Sequence, residues 1–134
     1  MYANPNCTLV IDDYAEIGRD STIAAHSNIK IEKGVLTGPH IFIADHNHEY
    51  RNVDLPIYQQ GANVPKDSSV IVGEGSWLGT NCVVVGNVHI GKHCVIGANS
   101  VVTKDIPDYS VAVGIPAKVI KRYNFETMQW ERVK

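Results

Sequence analysis

No charge of either sign dominates this 134-residue sequence: 12 lysines and arginines stand against 14 aspartates and glutamates. That balance excludes the basic field of a nucleic-acid-binding protein and the acidic tail of a disordered activator. Long apolar runs are missing too. A run such as Val83-Val84-Val85 is far short of the roughly 20 residues that cross a bilayer as a helix. The opening Met1-Tyr2-Ala3-Asn4-Pro5 has neither the basic start nor the apolar stretch of a signal peptide. Cysteine is scarce and odd in number, with Cys7, Cys82 and Cys94, which fits reduced thiols rather than a disulfide framework. Helical spacing of apolar residues is absent before the C-terminal end. The expectation is a soluble, cytoplasmic, single-domain protein of short strands.

What the sequence has instead is a period of six. From Ile11 every sixth residue is β-branched and aliphatic: Ile11, Ile17, Ile23, Ile29, Val35 and Ile41. The period resumes in a new phase at Val72, Leu78, Val84, Ile90, Ile96 and Val102. Two residues before the stops, small or polar residues are frequent, among them Ala15, Ser21, Ser27, Ser76, Cys82, Cys94 and Ser100. Glycine follows the stop at Gly18, Gly73, Gly79, Gly91 and Gly97.

Six is neither the period of a strand nor that of a helix. It describes a short strand, a corner and a repeat. Three such strands close a triangular coil of about 18 residues, stacked on the next at about 4.8 Å. The stop is expected to point into the prism, with the residue two earlier also inward but beside a corner, and therefore small. Glycine would relieve crowding or supply a positive φ at the bend. Periodicity alone leaves the hand of the coil open.

Between the two runs, from Phe42 to Ser69, the period is lost. A long stretch of that kind is expected to leave the solenoid as a functional loop, and its Tyr50, Tyr58, Gln60 and two histidines argue against disorder. The expected organisation is coils at about 9–44 and 69–106, an inserted loop at about 45–68 and a C-terminal cap at about 117–134. In that cap Tyr123, Phe125, Met128 and Trp130 suggest a short helix covering the open prism end, where bare ladder edges would invite stacking.

Three segments carry a resemblance: Gly75-Ser76-Trp77-Leu78-Gly79, the stretch from Val95 through Thr103-Lys104-Asp105-Ile106-Pro107, and Val113-Gly114-Ile115-Pro116-Ala117-Lys118-Val119-Ile120-Lys121. They are similar to the hexapeptide-repeat acetyltransferases of the galactoside and maltose O-acetyltransferase type. Asp45-His46-Asn47-His48, followed by Leu55-Pro56-Ile57-Tyr58-Gln59-Gln60-Gly61, looks closest to the branch that acetylates surface polysaccharides. The resemblance implies an all-β, left-handed parallel β-helix and a homotrimer with active sites between adjacent prisms. It further implies acetyl-CoA as donor and a sugar or saccharide hydroxyl as acceptor. Sugar acetyltransferases usually carry an N-terminal helical segment, which the residues ahead of Ile11 are not expected to supply, and this leaves the acceptor open.

Acetyl transfer from a thioester to an alcohol needs a base for the hydroxyl proton, and a neutral imidazole suits that role. It also needs donors at the developing oxyanion. In the family the base stands five residues after an inward stop, which from Ile41 is His46. His48 takes the role if the loop is offset. Asp45 either orients one of these rings or caps a turn. His26, His40, His89 and His93 fall at outward positions and are expected to be exposed polar residues. A shared zinc site is not expected, because the spacings His46-x-His48 and His89-x3-His93 differ from those of carbonic anhydrases on this helix.

For the coenzyme the resemblance implies Trp77, Thr80, Gly97 and Ala98 along the pantetheine arm, with Thr103 and Lys104 beyond the last full hexads. Lys118 and Lys121 stand where relatives often place arginine against the nucleotide phosphates, supplying charge without the bidentate fork. Two other readings remain at this stage: N-acetylation of an amino or nucleotide-linked sugar, and a noncatalytic assembly module that keeps only the solenoid.

Overall fold

The computed structural model describes Tyr2, Ala3 and residues 6–133. Short strands stack on three faces. The first face carries Thr8–Ile11, Asn28–Ile31, Val70–Val72 and Val88–Ile90. The second carries Leu36–Thr37, Trp77–Leu78, Val95–Ile96 and Ser110–Gly114. The third carries Tyr2–Ala3, Thr22–Ala25, Phe42–Ala44, Val83–Val85 and Val101–Val102. The chain visits the faces in that order, and neighbours from successive coils pair in parallel. The result is a three-sided β-helix.

The register corrects one part of the six-residue reading. Ile11 lies beside Ile31, which lies beside Val72 and then Ile90. Likewise Ile23 stacks on Ile43, Val84 and Val102. Ile29, Val35 and Ile41 therefore sit two residues before the true stops, and Ser27 falls at a corner rather than in the inward column. The cause is a two-residue insertion at the corner after Thr22–Ala25. Both inward columns are buried, so Ile29, Ile31, Val35, Ile41 and Ile43 all enter the core. On the second face the stop is Thr37, whose Oγ1 accepts the Gly18 N–H at 2.9 Å and donates to the Gly38 carbonyl at 3.0 Å. The small column serves a similar end. Ser76 Oγ donates to Gly91 O at 2.8 Å and accepts the Cys94 N–H at 2.9 Å, tying successive coils at a corner.

The glycines after the stops are needed for space rather than for φ. None of Gly18, Gly73, Gly79, Gly91 or Gly97 has a positive φ, whereas Tyr14, Asp20, His40, Asn81, His93, Asn99 and Tyr109 do. A Cβ on Gly73 would run into the Gly91 carbonyl of the next coil, and one on Gly79 would stand 2.7 Å from the Ala98 nitrogen. Backbone cannot yield as a side-chain tip can. Gly73→Ala is expected to lower the unfolding free energy by roughly 1–3 kcal/mol, read from the midpoint of denaturant unfolding.

The C-terminal cap is a hairpin, not the expected short helix. Ala117–Asn124 pairs antiparallel with Ser110–Gly114, and Gln129–Arg132 pairs antiparallel with Ala117–Asn124. These strands satisfy the open edge of the second face, the same need a covering helix would have met. Tyr123 stands opposite Trp130 and Lys121 opposite Arg132, a strand's alternation. Among the described residues the sole helical turn is Ile57–Gln59, and no helix is long and apolar enough to cross a membrane.

Between Phe42–Ala44 and Val70–Val72 the chain leaves the prism as an arm with structure of its own. Asn47–His48 pairs antiparallel with Ala62–Asn63. At its tip the Gln60 amide donates to the carbonyls of Asn52 and Leu55, both at 2.8 Å, and accepts the Asn52 N–H. At its root the buried Ser68 hydroxyl donates to the Asp45 carbonyl at 2.7 Å. Tyr50, Val53, Leu55, Ile57 and Tyr58 are exposed along it.

Candidate active site

The two-residue insertion and the root of the arm meet at one corner, between the third and first faces. The widened corner of residues 26–28 presents three backbone N–H groups to the coil above. The Asp45 carboxylate, fully buried, receives them. Oδ1 accepts from His26 N at 2.9 Å, and Oδ2 accepts from Ser27 N at 2.7 Å and Asn28 N at 2.8 Å. Oδ1 also meets His46 Nδ1 at 3.0 Å. Asp45 thus closes the widened corner of the preceding coil and contacts the His46 ring at once.

Burial by itself would raise the Asp45 pKa. The His26 N–H, the His46 ring and the N–H groups of Ser27 and Asn28 outweigh it, so the carboxyl sits below its ordinary value. An ionised carboxylate has no proton to give. The hydrogen between it and His46 therefore belongs to Nδ1, which leaves Nε2 of neutral His46 with its lone pair pointing away from Asp45. That is the tautomer a general base requires.

His26 is the residue the sequence reading missed. Placed among the outward histidines, it instead lies half-buried with its ring edge-on to His46, centroids 3.8 Å apart. Burial, the neighbouring His46 and His48 lower its pKa, against a raising pull from Asp45. His40, His89 and His93 are exposed as expected. His48 is exposed on the Asn47–His48 strand of the arm, close enough for its charge to act on His26.

The two depressed pKa values give opposite charge changes but one direction for stability. A histidine lowered on folding favours the neutral form, so its contribution is complete above about pH 6.5 and is lost as pH falls from there through its folded value. The Asp45 contribution is complete above its ordinary 3.8 and is lost only below that, as pH falls through the depressed value. Denaturant midpoints for wild type and His26→Gln are therefore expected to converge as pH falls below 6.5, with a second, shared loss below pH 3.8.

The remaining candidates fall into two groups. Thr103 and Lys104 are exposed at the same corner as Asp45, following Val101–Val102. Trp77 is half-exposed on the second face between Leu36 and Val95. Thr80, Gly97 and Ala98 follow at the corner between the second and third faces, where Thr80 Oγ1 donates to Pro39 O at 3.1 Å. A Cβ on Gly97 would press on Val113 Cγ1 at 2.7 Å. Lys118 and Lys121 are exposed on the added strand, opposite Val113 and Val111. One face separates the groups. Five residues of extended chain, from Ala98 to Thr103, span on the order of 15 Å. A single prism does not bring His46 to Trp77 or Ala98.

The buried thiols Cys82 and Cys94 have raised pKa values through burial and fill inward positions. No cluster of three or more metal-binding side chains occurs among the described residues.

Residues 69–104 match the bacterial transferase hexapeptide (six repeats) family. The chain is 37% identical over 130 residues to WbbJ of Escherichia coli K12, whose name provisionally assigns it as a lipopolysaccharide biosynthesis O-acetyl transferase. The match covers 92% of this chain and 65% of that protein. It is 37% identical over 124 residues to the galactoside O-acetyltransferase of Lactococcus lactis, covering 92% of this chain and 51% of the relative. Among solved structures, a maltose O-acetyltransferase from Clostridium difficile superposes with a TM-score of 0.60 at 28% identity, over 84% of this chain and 66% of that one. The chain spans between half and two thirds of the length of these relatives. The repeats and these likenesses make the prism a left-handed parallel β-helix.

Proposed function

From its membership of the hexapeptide-repeat acetyltransferase family, we infer that this chain transfers an acetyl group from acetyl-CoA to a hydroxyl of a sugar or polysaccharide precursor. The observation that carries the reading is the Asp45–His46 pair. A buried carboxylate holds Nδ1 of a largely buried imidazole, which fixes the tautomer and turns Nε2 away from Asp45.

In the proposed step Nε2 of His46 takes the acceptor hydroxyl proton while the hydroxyl oxygen attacks the thioester carbonyl carbon. The resulting oxyanion collapses, the carbon–sulfur bond breaks, and the proton on His46 passes to the departing thiolate. No covalent enzyme intermediate is needed, and the imidazole ends as it began. His26, neutral above its lowered pKa, keeps a second positive charge away from the protonated base.

The separation of the two candidate groups supports a homotrimer, in which one prism lends Asp45, His46, Thr103 and Lys104 and its neighbour lends Trp77, Thr80, Gly97, Ala98, Lys118 and Lys121. The exposed apolar residues of the arm would then be covered by the adjacent copy. His46 is preferred to His48 as the base because Asp45 orients the His46 ring, whereas among the described residues no carboxylate is hydrogen-bonded to the exposed His48 ring.

The test is a coenzyme-release assay with acetyl-CoA against monosaccharides, nucleotide sugars and amino sugars. Release with hydroxyl acceptors is the expected result. Release with amino acceptors alone would replace O-transfer by N-transfer. Absence of both turnover and acetyl-CoA binding at millimolar coenzyme would leave an assembly module.

A further inference from the structure

The third ridge of the prism, between the first and second faces, holds none of the residues assigned above. Its left-handed corner positions stack in the order Tyr14, Gly34, Gly75, His93 and Tyr109. The two glycines leave a step: a side chain at Gly34 would meet nothing within 4 Å, and one at Gly75 would meet only His93 Nδ1 at 3.8 Å. Beyond the step the C-terminal hairpin folds aromatic residues onto the ridge. His93, Tyr109 and Trp130 hold near-parallel planes, with interplanar angles from His93 of 29° and 24° and centroids 5.9 and 6.3 Å away. Tyr123 and Phe125 stand edge-on to Trp130 and Tyr109.

Two hollows of about 260 and 350 Å³ share His93 and Tyr109. The first is walled by rings alone, and the second is rimmed by Glu74 and Lys92. Phe125 is 65% and Trp130 38% exposed, so this aromatic surface faces solvent instead of completing the core.

We propose that this ridge is a saccharide-binding platform, holding a neutral oligosaccharide away from the site of acetyl transfer. Rings present flat apolar faces to the C–H faces of pyranoses, and the adjacent carboxylate and ammonium supply an acceptor and donors for hydroxyls. The rim charges decide the class of ligand. Glu74, with Asp108 two coils along the same ridge, disfavours a phosphate-bearing nucleotide, and Lys92 between them disfavours a quaternary ammonium. A neutral polyhydroxyl ligand satisfies both signs. Coils are spaced about 4.8 Å apart, so a ligand running from Trp130 to the Gly75 step covers more than one sugar ring. The choice of saccharide rests on the function proposed above; the aromatic hollow itself does not.

The sequence has two tryptophans, so Trp77→Phe leaves Trp130 as the sole reporter. Titration of that variant with maltoheptaose, cellohexaose and mannohexaose is expected to give a saturable change in Trp130 emission at millimolar sugar or below for at least one of them. Tyr109→Ala or Phe125→Ala in the same background, with unchanged circular dichroism, is expected to weaken that binding at least about tenfold. Flat emission with all three sugars overturns the proposal, as does binding that both variants leave untouched. A response to coenzyme A in place of the sugars also overturns it, assigning the hollow to the nucleotide. Coenzyme release by wild type with monosaccharides is measured in parallel. Turnover without Trp130 binding sinks the platform alone, and binding without turnover sinks the transferase reading alone.

Discussion

His46→Ala is expected to lower turnover at least about a hundredfold while leaving acetyl-CoA affinity within about twofold. The magnitude is that of losing a positioned general base. The split follows from placement: Trp77, Thr80, Gly97 and Ala98 lie on the second face and at the corner beyond it, so deleting the His46 ring leaves those proposed coenzyme residues of its own prism in place. Steady-state turnover and calorimetric coenzyme binding on the same preparation make the check. A variant with near-wild-type turnover would move the base to another residue, and a matching loss in His48→Ala would name it.

Asp45→Asn is expected to be costly twice over. The carboxylate offers two oxygens to four donors: His26 N and His46 Nδ1 on one, Ser27 N and Asn28 N on the other. An amide has one acceptor oxygen, and its NH2 must face donors on whichever side it turns. Ser27 and Asn28 are fixed backbone, while the His46 ring can switch tautomer. The oxygen therefore stays with the backbone pair, and the NH2 forces His46 to accept at Nδ1. Nε2 then carries the hydrogen and cannot act as base. Turnover is expected to fall at least about a hundredfold, and the buried donor left facing the amide lowers stability by about 2–5 kcal/mol. Turnover measured at low temperature, where the variant is folded, separates the two effects. A variant that loses stability yet keeps turnover would restrict Asp45 to holding the corner.

The prism was legible in the sequence because its two inward columns repeat at a fixed interval. The same fact hid the inserted corner. A slip of two residues exchanges one inward column for the other, so Ile29, Val35 and Ile41 continued the period from Ile23 without belonging to its stack. With that slip, Ile43 rather than Ile41 is the stop below the arm, and His46 lies three residues beyond it. Its candidacy rests on Asp45 and not on the count. His26 was unreadable for a related reason: its place against His46 depends on a widened corner that no local pattern announces. At the C-terminus, Tyr123, Phe125, Met128 and Trp130 are too few to distinguish helix from hairpin, and the open edge of the second face decides for strands. The histidine loop, by contrast, stood out because it interrupts so regular a chain.

The arm's two ends are joined by the Ser68–Asp45 hydrogen bond, and its tip is closed by Gln60, so its shape is held from within. Such an excursion behaves as a cassette. Its tip can be lengthened, shortened or exchanged between homologous chains without disturbing the ladder beneath, provided the Asp45 and Ser68 anchors are retained. On the proposed function, acceptor choice would diversify by loop grafting while the Asp45–His46 corner stays constant.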